Sequence, residues 1–462
     1  MALRLRLAHG LVRCGLQIVQ FCGLIAPSLL SFSLLSFSLL FFSQPGQAAY
    51  IEVSPEQDLQ QVLDSAQAGD DIQLQPGRYL GNFVIKQEIR LTGADDYTSI
   101  IDAQGKGNAL LLQSSKVTIE RLKIVNWGDD LTAQDAGIYS DQSASELVIR
   151  ENRLQGDGFG IWLQKGKEIK VHHNRIQGNP ALRSADRGNG IQLSIVQNVE
   201  VSDNEVSQTR DGIYIISSQH NTIKNNTMHN LRYGIHYMYS HSNRVQDNLA
   251  YDTRAGYALM SSRQLTVSGN ESRDSQDYGF LMNFITYSEI SHNRIYRVWT
   301  KPENKVLGRE GKGLFVYNSA YNSINNNLID TAEIGIHLTA GSEHTKVFGN
   351  SFINNPVQVK YVANRQAEWS LDGRGNFWSN YLGWDLDNDG FGDRPFEPND
   401  GIDKLIWQYP EAKMLLDSPA VLILRWIQTQ FPVLKPVGVK DSFPLMQAPP
   451  LAGQQAVINE AE

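Results

Sequence analysis

Residues 234–260 read GIHYMYSHSNRVQDNLAYDTRAGYALM. In this stretch Gly234 opens Ile-His-Tyr-Met, and Gly256, 22 residues on, opens Tyr-Ala-Leu-Met. A short apolar alternation after each glycine reads as a strand, and its return after 22 residues reads as one coil of a repeat. Glycine followed by a large apolar residue recurs at Gly137, Gly160, Gly190, Gly212, Gly234, Gly256, Gly279, Gly313 and Gly335. An asparagine series keeps step at Asn152, Asn174, Asn204, Asn226, Asn248, Asn270, Asn293, Asn327 and Asn350. Two series in phase over some 200 residues predict an all-β chain, a right-handed parallel β-helix of 22-residue coils. One asparagine per coil is expected to stack as a hydrogen-bonded ladder. The leucine consensus and helices of a leucine-rich repeat are missing.

Two glycine intervals are longer, 30 and 34 residues, and place insertions near 179–187 and 298–312. Both fall between an asparagine and the next glycine, so both are expected at one corner. They lie two coils before and two coils after Gly234 and Gly256, either as lips around that pair or as tolerated surface loops.

Alternation sends positions one and three after each glycine to the core and positions two and four outwards. His236 and Met238 therefore share an exterior face with Met260, and the methionines stack one coil apart. Met282 falls at position three and is expected to fill the core. His241 lies in or near the following turn, within reach of the same face. Thioether plus imidazole is a ligand set for Cu(I), unlike the oxygen sets of calcium or magnesium. The competing reading is an apolar docking patch of Tyr214, Ile216, Tyr237, Met238, Met260 and Leu281. A metal passed between two proteins needs both.

The rest of the chain sets the context. Arg4, Arg6 and Arg13 precede an apolar run and a small-x-small site at 46–48, so residues 1–48 are read as a general secretory signal. The run is long for such a signal, which leaves an uncleaved anchor as the alternative. Cleavage removes three arginines and both cysteines, Cys14 and Cys22, and takes the charge from −8 to −8 − 3 = −11. A thiol-free exported chain has only Met and His for a soft metal, and an acidic one is not a nucleic-acid binder. Residues 49–80 read as an N-terminal cap, with a helix in DLQQVLDSAQAGD, and residues 81–365 as the β-helix. Residues 366–410 form an Asp-rich C-terminal cap. There Asp385, Asp387, Asp389 and Asp393 follow the spacing of a calcium loop, but the twelfth-position glutamate is missing; a polar turn is the alternative. Residues 411–446 read as amphipathic helices broken by Pro419, with Leu422, Trp426 and Phe431 offered to a membrane interface, a partner groove or the open end of the core. Residues 447–462 read as a disordered tail.

Exported β-helices are often polysaccharide lyases, hydrolases or epimerases, whose chemistry needs clustered carboxylates with a basic partner on one groove. Asp129, Asp130, Asp135 and Asp141 have no such partner in phase, and Asp211 and Asp277 stand singly before their glycines. A non-enzymatic reading is preferred.

HYMYS at 236–240, GYALM at 256–260, GNFWSNYLGWDLDNDGFGD at 375–393 and SPAVLILRWIQTQFPVLKPVGVKDSFPLM at 418–446 closely resemble the NosD family, exported β-helix proteins that mature nitrous oxide reductase. The resemblance runs from the cap to about Met446. It implies a periplasmic protein seated on an ABC transporter permease, whose ATPase hydrolyses ATP in the cytoplasm. It further implies receipt of Cu(I) from a lipid-anchored copper chaperone and delivery towards the reductase. On that view His236, Met238 and Met260 are the copper surface and 419–431 is the docking helix.

Overall fold

The structure, a computed structural model, describes residues 48–450 apart from 143, 307–308, 364, 417 and 432–436. Residues 1–47 of the leader expected over 1–48 and the end of the expected tail therefore lie outside the described residues. The described chain is a parallel β-solenoid of about 14 turns. One face is a 13-stranded parallel sheet of short strands, such as Thr222–Lys224, Arg244–Gln246 and Thr266–Ser268. The other two faces belong to a 23-stranded sheet, because strands such as Thr227–Met238 and Leu249–Met260 continue through a corner.

The glycine series has a steric cause. A Cβ on Gly234 would stand 2.6 Å from the carbonyl oxygen of Gly256 and 2.7 Å from the Ala250 Cβ. The next coil's backbone occupies the space a side chain would need. The same holds at Gly212, where the Gly234 oxygen is 2.5 Å from the added carbon.

The asparagine series forms the expected ladder. Asn248 Nδ2 donates to the carbonyls of Ile223 and Gln246 and to Asn270 Oδ1, each at 2.9 Å. Its own Oδ1 accepts from Asn226 N at 2.9 Å and Nδ2 at 3.0 Å. Each turn from Asn152 to Asn350 therefore satisfies buried donors and acceptors with the rung beside it. The ladder runs one rung beyond Asn350, to Asn376, and ends on a carboxylate. Asp441 Oδ2 accepts from Asn376 N at 2.7 Å and from Trp378 Nε1 at 2.8 Å.

The two ends are closed differently. At the start, α1 (Leu59–Ser65) is capped by Asp58 and buries Leu59 and Leu63 on the first coil. At the far end, Trp378 stacks on Phe352 with ring centroids 4.5 Å apart, and Trp369 lies beyond it at 6.2 Å. Val439–Lys440 then returns to pair in parallel with Ala367–Glu368. The stretch 411–446 is therefore not helical throughout: its last ten residues belong to the cap. Two helices precede that return. α2 (Gly401–Gln408), which the sequence reading did not foresee, is started by a capping box of Asp400 and Asp403. α3 (Pro419–Gln430) starts on Ser418 and is tied to α2 by Arg425, which pairs with Asp400 and with Asp403 at 2.9 Å. Arg425 therefore faces α2, while Leu422, Trp426 and the following Phe431 are exposed.

Candidate metal centre

The register sets the candidate residues in two outward columns. Tyr214, His236, Ala258, Leu281 and Phe315 are successive rungs of one. Ile216, Met238, Met260, Asn283 and Tyr317 are successive rungs of the other. Adjacent rungs are about 4.8 Å apart, so His236, Met238 and Met260 occupy two neighbouring coils. The coil of Gly256 is low here: it presents Ala255 and Ala258 where its neighbours present Tyr233 and Tyr278, or His236 and Leu281. Both alanines are fully covered, so the flanking side chains close over them.

His236 points outwards yet is recessed, with a relative exposure of 8 %. Tyr214 lies against one side, ring centroids 4.6 Å apart, and Tyr233 meets it edge-on at 5.1 Å. Its Nδ1 bonds Asp211 Oδ2 at 2.9 Å. That carboxylate also accepts from Arg232 Nε at 2.8 Å and Nη2 at 2.6 Å. Burial pushes the Asp211 carboxyl up, but the hydrogen bonds from His236 and Arg232 and the charge of Arg232 outweigh it and hold the group below its ordinary value. An ionised Asp211 takes the Nδ1 proton bond and leaves Nε2 as the free end of the ring. Nε2 is buried and has no hydrogen-bond partner among the described residues. A carboxylate holding one imidazole nitrogen while the other stays open is the arrangement that orients metal-binding histidines.

Met238 and Met260 are partly exposed beside this ring. The Tyr214 hydroxyl donates to Met238 Sδ at 3.2 Å, which fixes one thioether and leaves it a second lone pair. Tyr239 turns the chain straight after Met238 with φ 50°, an uncommon conformation for an aromatic residue. Met282 is fully buried in the core, as its position required.

Three expectations are corrected. Tyr237 is not a docking residue: it sits three past Gly234, has no exposure, and its hydroxyl is buried without a partner among the described residues. Leu281 does point outwards but is covered, at 8 % exposure, because it lies between rungs under the neighbouring side chains. His241 does not join the face: past the Tyr239 turn, its Nδ1 accepts from Arg263 N at 3.3 Å. Tyr214 and Ile216 are partly exposed beside the site. Asp211 and Arg232 were missed as a pair. Asp211 was visible as the residue before its glycine, but nothing in one sequence shows that a residue of the next coil bends back to it.

Both insertions sit where the spacing put them. Arg187 of the first donates to backbone carbonyls of its own loop, and Arg309 of the second grips Asp277 at 2.9 Å. In the C-terminal cap, Asp385, Asp387 and Asp389 converge, while Asp393 stands apart and accepts from Leu386 N at 2.9 Å. Asp385 is engaged by Asp389 N and Gly390 N, which orders the turn.

Comparison with known proteins fixes the family. Residues 172–383 match the model described as NosD, periplasmic copper-binding protein, and residues 97–194 match that described as a right handed beta helix region. The family 28 exopolygalacturonase of Yersinia enterocolitica shares the fold, with a TM-score of 0.51 at 12% identity over 70% of this chain and 79% of its own. The class is thus the right-handed parallel β-helix proteins. A protein of Pseudomonas aeruginosa PAO1, named probable ABC transporter binding protein NosD, is 54% identical over 381 residues, covering 81% of this chain and 88% of that protein. One of Stutzerimonas stutzeri with the same name is 49% identical over 379 residues, covering 81% and 86%. This chain belongs to the NosD family.

Proposed function

We propose that this chain is a periplasmic, non-enzymatic accessory protein for nitrous oxide reductase maturation. It accepts Cu(I) from a copper chaperone lipoprotein and passes it towards the reductase while associated with an ABC transporter permease and its ATPase. The carrying observation is His236: its Nδ1 is held by Asp211, and its Nε2 is recessed and unpartnered beside the thioethers of Met238 and Met260. One neutral nitrogen and two soft sulfurs suit Cu(I). Two partly exposed thioethers beside a recessed imidazole make a half-site that a docked partner completes and then empties. The family description and the relatives' names support copper and transporter association. The exposed Leu422, Trp426 and Phe431 supply the surface that meets the transporter at the membrane. A polysaccharide-processing role is disfavoured, because Asp211 and Asp277 are each committed to basic side chains rather than paired with another carboxylate.

The test is an anaerobic Cu(I) titration of the mature protein against a chromophoric competitor, alone and with a Cu(I)-loaded chaperone. One Cu(I) is expected per chain. Retention of that ion by the His236→Ala/Met238→Ala/Met260→Ala variant would overturn the assignment.

A further inference from the structure

Immediately beside the copper face, on the side of the first insertion, is a cleft of about 360 Å³. Phe159, Trp162, Arg187, Gln192, Arg210 and Tyr214 line it. That volume is within the range of small-ligand sites. Its apolar wall is built: Phe159 meets Trp162 edge-on with centroids 4.5 Å apart, and Tyr139 backs the Trp162 ring at 6.2 Å. Trp162 Nε1 is held by Gln164 at 3.1 Å, and Asn189 fixes the Gln192 amide at 2.8 Å.

Its charged wall is incomplete. Arg210 Nε is buried and has no hydrogen-bond partner, and neither Arg210 nor Arg187 has an ion pair among the described residues. Arg187 gives its protons to the carbonyls of Pro180, Leu182 and Gln208, which satisfies its hydrogen bonds but not its charge. The carboxylates adjacent to Arg210 and Arg187 in sequence are already taken, Asp211 by Arg232 and His236 and Asp186 by Arg183. Two cations beside an aromatic wall, with a shielded guanidinium donor left open, lack an anion with a flat or apolar body.

The geometry points to a carboxylate-binding site in this cleft, taking an acid whose apolar part lies on Phe159 and Trp162 and whose carboxylate meets Arg210. Tyr214 is shared between the cleft and His236, so an occupant abuts the copper face. Use of the site in copper exchange rests on the preceding reading; carboxylate binding does not.

The mature protein, labelled with ¹⁵N at tryptophan, is titrated with phenylacetate, with phenylacetamide and with the blocked peptide acetyl-Phe-Glu-Phe-amide. The Trp162 indole signal is assigned through Trp162→Phe. Saturable movement of that signal by a carboxylate but not by the amide is expected, with affinity falling roughly ten-fold or more in Arg210→Gln. Tighter binding of phenylacetate identifies a small-molecule acid, and tighter binding of the peptide an acidic side chain of a docked protein. Equal response to acid and amide, or no response to either acid, overturns the proposal. So does unchanged binding in Arg210→Gln. Arg210→Gln is expected to keep its Cu(I), so failure here is distinct from failure of the copper site.

Discussion

Replacing Asp211 by asparagine tests the link between fold and site most directly. The carboxylate has a relative exposure of 1 % and accepts three bonds, one from His236 and two from Arg232. Asparagine keeps the shape but offers one oxygen to two donors, and it turns an NH₂ towards one of them. If that NH₂ meets His236 Nδ1, the ring takes the other tautomer and Nε2 carries a hydrogen instead of a lone pair. Loss of such an orienting partner costs metal affinity roughly 10–100-fold. The unpaired Arg232 adds a stability cost. Breaking a buried ion pair costs about 3–5 kcal/mol, and with Arg232 a quarter exposed we expect the lower end, about 3 kcal/mol. The pH dependence follows from the depressed carboxyl, whose ordinary value is 3.8. The native chain binds this proton less readily than the unfolded chain. The stabilisation is therefore complete above about pH 4 and is lost as pH falls through the native value, and the asparagine variant lacks that acid-side loss. The assays are competitive Cu(I) binding at pH 7 and urea unfolding from pH 3 to 7. Copper affinity unchanged in Asp211→Asn, with wild-type binding dependent on His236, would refute the orientation argument.

Other perturbations probe the frame. Tyr237→Phe removes a buried hydroxyl that bonds nothing, so stability should stay level or rise by about 1 kcal/mol, read from the urea midpoint; a clear loss would mean the hydroxyl is engaged. Asn248→Ala removes five ladder bonds and orphans buried groups on both neighbouring coils, and it should cost on the order of 3–5 kcal/mol in the same assay. Leu422→Ser/Trp426→Ser/Phe431→Ser alters side chains that are exposed, so the circular dichroism spectrum should be retained while co-purification with the transporter falls at least ten-fold; full retention would remove α3 from the docking surface.

The contrast between what one chain shows and what packing adds is clear at particular residues. Gly234 and Asn248 were legible because a repeat imposes the same local demand on every coil: a glycine where the next carbonyl approaches, an amide where buried donors and acceptors need a bridge. The same periodicity placed His236, Met238 and Met260 on one outward face and Met282 in the core, since side chains alternate along a strand. Facing outwards is not the same as being accessible, however, and that depends on neighbouring rungs. His236 and Leu281 point out but are covered: over His236 lie Tyr214 of the preceding coil and Tyr233 of its own strand. The cap's last carboxylate, Asp441, lies 65 residues beyond the Asn376 it satisfies, in a return strand with no repeat to announce it. Sequence alone determined the coil, its register and the outward placement of the candidate soft side chains, because those follow from local periodicity. The tertiary structure alone decided the Asp211–His236–Arg232 group and the lack, among the described residues, of a hydrogen-bond partner for Arg210 Nε, because both depend on which long side chain bends across from an adjacent coil.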